Sequence, residues 1–205
     1  MSNEDIVSPG FRGRRPAPEV RERIPPGQYL ERGFPVLTAG PTPRVDLERW
    51  DFRILGPDGT DRGRWTWQEF GALPHQDITC DIHCVTRWSK LDTHWRGVSV
   101  DTLLGEVPGG VTHVVAFCDG GYTTNVPLEA VLGGRAWVTD GYEGQPLQAE
   151  HGGPARLLVP ALYLWKSAKW VRGLRLVTGD EPGFWEKRGY HNQGDPWKEQ
   201  RYWDD

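Results

Sequence analysis

The chain has 205 residues, enough for a sizeable core, and its formal net charge of −4 excludes the basic footprint that nucleic-acid binding requires. Its 26 glycines and 17 prolines exclude a helical bundle and imply many turns between short elements. Three cysteines, at 80, 84 and 118, are too few for a disulfide framework and fit a reducing compartment.

Residues 1–27 are mostly Pro, Gly, Arg and Glu, with few large apolar side chains. They read as a flexible or surface-wrapping arm ahead of a single domain over residues 28–205. Arg14-Arg15 is followed by no apolar run, so it does not read as an export signal. No stretch approaches the ~20 apolar residues of a transmembrane segment. A cytoplasmic location is the expectation.

Phe34-Pro35-Val36-Leu37 is apolar enough to dock on the body, and Pro41 and Pro43 punctuate the chain after it. In Asp46 to Leu55, Trp50, Phe52 and Ile54 alternate with Asp51 and Arg53, the pattern of a half-buried strand. Gly56-Pro57-Asp58-Gly59 is a turn. Thr66 is placed to N-cap a short helix, with Glu69 completing a capping box and Leu73-Pro74 ending it.

The stretch Ile78 to Ser89, ITCDIHCVTRWS, reads as a strand running into a loop. Alternation puts Ile78, Cys80, Ile82 and Cys84 on one face and Thr79, Asp81 and His83 on the other. Cys80 then packs, while Cys84 sits where strand gives way to loop, a position favoured by functional groups. Lys90 to Gly97 reads as a polar, Trp-bearing loop. Ser99 caps a helix through Leu104. Val111 to Cys118 is a buried strand, and Asp119-Gly120-Gly121 turns it into a hairpin partner over Tyr122 to Val126. Pro127 starts a short helix that Gly133-Gly134 ends. Further strands are expected at Ala136 to Thr139, Ala155 to Val159 and Trp170 to Val177. The sum is an α+β fold dominated by short strands.

Cys84 admits three chemistries. Zinc shared with Cys80 fails on reach, because four strand residues span roughly 13 Å. The order of the residues also departs from the C-x-x-C-H of haem attachment. A nucleophilic Cys–His pair needs a base from His94, His113 or His151, and nothing in the sequence brings one near. A single thiolate on a soft metal held mainly by another group needs one Cys and a separate anchor. His151-Gly-Gly-Pro-Ala-Arg156 and Lys166-Ser-Ala-Lys169 together offer a phosphate cradle of Arg, Lys, Ser and Gly-rich backbone.

These residues carry a resemblance. His83-Cys84-Val85-Thr86-Arg87-Trp88-Ser89, Trp95-Arg96-Gly97-Val98, the segment HGGPARLLVPALYLWKSAKW and the tail GFWEKRGYHNQGDPW resemble the sulfite-oxidase-like molybdopterin oxidoreductases. The likeness is to their short, haem-free branch related to the catalytic subunit of bacterial methionine-sulfoxide reductase. Leu30 to Gly56 resembles the family's opening strand. The resemblance implies a sulfite-oxidase-type fold of mixed β-sheets with short helices, with Cys84 the protein thiolate on molybdenum. It implies that His151, Arg156, Ser167 and Lys169 hold the molybdopterin and its phosphate, and it groups His83, Asp119 and Lys166 with them. Arg87, Tyr190 and His191 are the candidates for handling substrate, and Trp88 and Trp95 join Tyr190 and His191 at the pocket rim. The implied reaction is two-electron oxygen-atom transfer on a small sulfur- or nitrogen-oxo compound. No haem-binding segment is evident, so electrons would pass to or from a separate partner. The competing readings are a non-catalytic anion- or cofactor-binding protein on the same fold, and a cysteine hydrolase.

Overall fold

The structure, a computed structural model, describes residues 18–205. The expectation of a flexible arm therefore lies, for residues 1–17, outside the described residues. Residues 18–27 hug the body: after a one-turn helix, α1 (Pro18–Arg21), Arg23 forks between Asp81 and Asp92, with its Nη2 2.6 Å from each carboxylate.

Two β-sheets carry the chain. The first contains β1 (Tyr29–Leu30), β4 (His75–His83), β5 (Trp88–Ser99), β8 (Trp137–Tyr142), β9 (Gln145–Pro146) and β10 (Arg156–Leu158). The second has the order β3 (Asp61–Thr66), β2 (Asp51–Leu55), β11 (Val171–Val177), β6 (His113–Cys118), β7 (Thr123–Pro127). Parallel pairing occurs only at β1–β5 and β2–β11 among the described residues. Short helices α2 (Trp67–Gly71), α3 (Val100–Leu104) and α4 (Leu128–Val131) fill the corners.

Local chemistry explains most of these elements. Trp50, Phe52 and Ile54 are buried in the main core, as the alternation requires. The capping box forms: the Thr66 hydroxyl accepts from the Glu69 amide, and the Glu69 carboxylate accepts from the Thr66 amide. Ser99 caps α3 by accepting from the Asp101 amide. The hairpin β6–β7 forms around Asp119-Gly120-Gly121, and Phe34 docks against Trp88, Trp95 and Tyr142.

Two stretches differ from the sequence expectation. Lys90 to Gly97 is not a loop but the middle of β5, twelve residues long and paired to β4. Thr93, Trp95 and Gly97 face inward while Asp92, His94 and Arg96 face solvent, so the polar outer face hides a period-two strand. Asp61–Thr66 is a strand as well, paired to β2 with only intermediate burial. Pro127 precedes α4 as its cap instead of its first residue.

Asp51 shows how the second sheet is tied. Its buried carboxylate accepts from Arg53 at 2.7 Å, from Arg64 at 2.6 Å and from Arg172 of β11. Burial pushes the carboxyl pKa up, but the hydrogen bonds from Arg172 and Arg53 outweigh it, and the net shift is downward from 3.8. A depressed carboxylate pKa stabilises the fold above its unfolded value, and that stability is lost as pH falls through the folded value. Chemical denaturation as a function of pH should therefore show a loss below about pH 4 to which Asp51 contributes. Asp51→Asn should be less stable at neutral pH and flatter across that acid window. An equally steep acid loss in Asp51→Asn would remove Asp51 from the account.

Candidate functional site

Sulfur, basic residues and aromatics meet in one cavity of about 570 Å³. It opens where the ends of β4 and β10 meet the β6–β7 turn. Cys84 and Trp88 come from the β4–β5 connection, Asp119, Gly120 and Tyr122 from the β6–β7 turn, and Arg156 from β10. Ser167, Lys169 and Trp170 come from the approach to β11. One wall is the irregular segment from Phe34 to Pro43, and the other is the tail at Phe184, Trp185 and Tyr190.

Cys84 is the first residue past β4 and is 7% exposed. Its amide donates to the Trp88 carbonyl at 2.8 Å, and its carbonyl accepts from the Arg87 amide at 3.0 Å, so residues 84–88 form a closed turn. Arg87 takes the left-handed conformation, φ +74°, to close it. The Thr86 hydroxyl donates to the Cys84 sulfur at 3.1 Å. Burial pushes the Cys84 thiol pKa up, opposed by the Thr86 hydroxyl and amide, by Arg156 and by the Val85 amide.

The two glycine-and-basic motifs close on each other. The Trp170 amide donates to Gly152 O at 3.1 Å, the Leu157 amide to Ala168 O at 2.9 Å, and the Val159 amide to Ser167 Oγ at 2.9 Å. The approach requires glycine at 152, which has φ +110° and whose Cβ would stand 3.0 Å from Lys169; Gly153 instead fits against Leu147 O, 2.0 Å from where its Cβ would lie. Arg156 is 2% exposed, with Nη1 donating to His151 O at 2.9 Å and its guanidinium over the Phe34 and Trp95 rings. Burial lowers the Arg156 pKa to about 10. Lys169 donates to Leu37 O and Glu150 O, and burial, then Arg156, lowers it to about 8.

Not every expected residue reaches the cavity. Cys84, Asp119, Arg156, Ser167, Lys169, Trp88 and Tyr190 line it. His151 stands behind Phe34, stacked on it at 4.1 Å and 9°. His83 lies on the opposite strand face, its Nδ1 2.8 Å from Ser89 Oγ and its pKa lowered by burial to about 4. Trp95 is buried behind Phe34. Arg87 is exposed, and His191 Nδ1 accepts from the Gln193 and Gly194 amides of the tail. Lys166 is wholly buried in another network: its Nζ lies 2.6 Å from Glu186 and donates to Asn125 and to Asn192 O. The segment Leu37 to Pro43 has no periodicity to read, so its place in the cavity wall is visible only in the structure. The Thr86 donor is legible in the sequence as a hydroxyl two residues from the cysteine.

Unpartnered polar atoms mark what the cavity takes. Asp119 Oδ2, Arg156 Nε, Trp88 Nε1 and His151 Nδ1 are buried with no hydrogen-bond partner among the described residues. Buried polar atoms are normally paired, so a polar group of substantial size fits here. Among the described residues no group of three or more His, Cys, Asp or Glu is placed to hold a metal. A metal at Cys84 would bring its other ligands with it.

The sequence profile described as "Oxidoreductase molybdopterin binding domain" matches residues 39–185. The chain belongs to this family. It is thereby an oxidoreductase enzyme built on a molybdopterin-binding domain. Among its relatives is the uncharacterized oxidoreductase YuiH of Bacillus subtilis, 39% identical over 89% of this chain and 93% of that protein. Another is the protein-methionine-sulfoxide reductase catalytic subunit MsrP of Pseudomonas syringae, 25% identical over 80% of this chain and 53% of that one. The sulfane dehydrogenase SoxCD of Paracoccus pantotrophus superposes on 67% of this chain and 40% of its own, with a TM-score of 0.59 and 19% identity. The fold is thus the expected sulfite-oxidase type, although this chain spans only about half of MsrP. Among the described residues no helix is long and apolar enough to cross a membrane.

The Lys166–Glu186 pair ties the tail wall to the body. Both side chains are fully buried, and Glu186 also accepts from Thr124 Oγ1 and Trp165 Nε1. Removing one partner strands the other, at a cost of ~3–5 kcal/mol. Glu186→Leu should therefore lower the melting temperature by about 10 °C in calorimetry. The double variant Lys166→Met/Glu186→Leu should lose less than the sum of its singles. Strictly additive losses would mean that the pair is not coupled.

Proposed function

We propose that this protein carries out two-electron oxygen-atom transfer on a small, neutral sulfoxide-like substrate, with molybdopterin-bound molybdenum tethered by the Cys84 thiolate. The observation that carries this reading is the meeting, in one cavity, of a single shielded cysteine sulfur with unpartnered buried polar atoms. When bound, the cofactor supplies the redox-active metal that exchanges oxygen with substrate. In balance, R₂SO with two electrons and two protons gives R₂S and water.

The chain's own residues would do the rest. Arg156 and Lys169 supply positive charge to the pterin phosphate, Ser167 lines the same side, and Asp119 Oδ2 accepts from a ring or exocyclic N–H. His151, stacked on Phe34, keeps that wall rigid. Tyr190, whose pKa burial raises, keeps its phenolic proton at neutral pH, and its hydroxyl and Trp88 Nε1 are the donors for a substrate oxygen. The preference for a neutral substrate rests on the lining. Its basic residues are Arg156 and Lys169, both assigned here to the cofactor, while Tyr122, Trp165, Phe184, Trp185 and Tyr190 form an aromatic mouth. An anion such as sulfite would find no further cation there.

Electrons would come from a separate redox protein, in keeping with the naming of MsrP as a catalytic subunit. A cytoplasmic setting agrees with three free cysteines. The non-catalytic reading keeps the fold but gives no reason for a shielded thiol at the centre of the cavity.

Protein purified from a host that makes molybdopterin should contain about one molybdenum per chain by elemental analysis. It should reduce an aryl methyl sulfoxide with a dye donor faster than it oxidises sulfite. Cys84→Ser should fold with an unchanged circular dichroism spectrum and lose turnover to background. Cys84-dependent hydrolysis of an ester or amide by metal-free protein would point to a hydrolase instead. Faster sulfite oxidation would overturn the neutral-substrate assignment alone.

A further inference from the structure

The strap formed by residues 18–31 makes contacts that the cavity chemistry does not use. Arg23 anchors it to Asp81 and Asp92, and Arg201 donates to Pro26 O from the tail. Tyr29 and Glu31 then run parallel to β5, their amides donating to Arg87 O and Ser89 O at 2.8 Å each. Between these fixed points Gln28, half-buried, donates from Nε2 to the Cys84 carbonyl at 3.1 Å. A carbonyl only accepts, so the orientation of the Gln28 amide is not ambiguous.

That carbonyl belongs to the peptide unit whose other end is the Val85 N–H. A peptide unit is planar and rigid, so fixing its oxygen fixes the direction of its N–H. The Thr86 hydroxyl, two residues further along the same turn, donates to the Cys84 sulfur at 3.1 Å. Hydrogen bonds to a ligating sulfur withdraw electron density from the metal–sulfur bond and raise the reduction potential. The Arg87 amide holds the same carbonyl from inside the turn, but Arg87 itself sits at φ +74°. The turn thus contains a residue in an uncommon conformation, secured from outside by the strap.

We propose that Gln28 is a positioning residue for the Cys84 sulfur: by holding the Cys84 carbonyl it fixes the Cys84–Val85 peptide plane and, through it, the turn that aims the Thr86 hydroxyl at the sulfur. The inference rests on the reading of Cys84 as the molybdenum ligand and assigns to the strap a role in tuning that ligand. Gln28 touches neither substrate nor cofactor and acts through the peptide alone.

The test uses Gln28→Met, which keeps length and removes the donor, and Gln28→Lys, which restores a donor of similar reach. Amide hydrogen exchange is compared over residues 84–88 and over β11, with and without cofactor. Redox titration then gives the midpoint potential of the loaded protein. Gln28→Met should exchange at least tenfold faster over 84–88 with β11 unchanged, and its midpoint potential should fall. Gln28→Lys should recover both. Unchanged exchange over 84–88 in Gln28→Met overturns the proposal, as does a changed loop with an unchanged potential. Faster exchange in β11 as well would mean that Gln28 supports the fold in general, which also overturns it. Absence of molybdenum from the wild-type protein would sink the functional reading alone. Exchange in cofactor-free protein judges the Gln28 contact in either case.

Discussion

A cysteine proposed to hold a metal must be dry enough to stay soft and open enough to be reached. Cys84 meets both demands by position. Strand β4 carries Ile78 and Ile82 into a small core with Trp88, Trp95 and Leu158, and Cys84 is the next residue on that face. The sulfur inherits the burial of the strand while its backbone has already left the ladder. A residue earlier, the side chain would face the other way, as His83 does. Two residues later it would be exposed, as Thr86 is. The site depends on this single register, and β5 fixes it by pairing His83 with Ser89 and the Cys84 amide with Trp88 O.

The opposite side of the cavity is built differently. Two stretches of irregular backbone, 151–156 and 166–170, touch through main-chain bonds that need glycine at 152. Irregular backbone is expensive to bury unless its polar groups are paired, and here most are paired to each other. Of the nine buried side-chain atoms left without partners among the described residues, four, on Asp119, Arg156, His151 and Trp88, ring the cavity or stand just behind it. The polar capacity of those four lies where a bound group can meet it.

Much of the fold was legible because local signals agreed with burial. The Trp50-Phe52-Ile54 alternation, the Thr66–Glu69 capping box and the Asp119-Gly120-Gly121 turn each name their element by chemistry within a few residues. β5 was hidden because its outward face carries Lys90, Asp92, His94 and Arg96, and charge at every second position resembles a loop when its partner strand is unknown. β3 was hidden for the same reason, with Asp61, Arg62 and Arg64 in six residues. For the candidate site, the cysteine at a strand end and the two basic motifs were readable, and so was their convergence. Lys166 was not separable from Lys169, since three residues in an irregular turn point in directions that no periodicity fixes. Its destination depends on Glu186, twenty residues on, and on Asn125 in the other sheet.

That long-range pairing decides how the cavity is closed. The tail carries Phe184, Trp185 and Tyr190, which would be a loose aromatic flap if only their own contacts held them. The Trp185 and Tyr190 rings stack at 4.9 Å, and Tyr190 meets Trp165 edge-on at 5.1 Å. Aromatic contacts of this kind contribute ~0.5–1.5 kcal/mol each and tolerate sliding. A buried ion pair does not slide: Lys166 and Glu186 must meet within hydrogen-bond distance or leave a charge without compensation in the core. Placing Glu186 between Trp185 and Tyr190 therefore gives the wall a fixed height above the cavity, and Trp165 shares the constraint by donating its indole N–H to the same carboxylate. The aromatic mouth is thus held by a polar contact, Lys166 with Glu186, that lies outside the cavity lining.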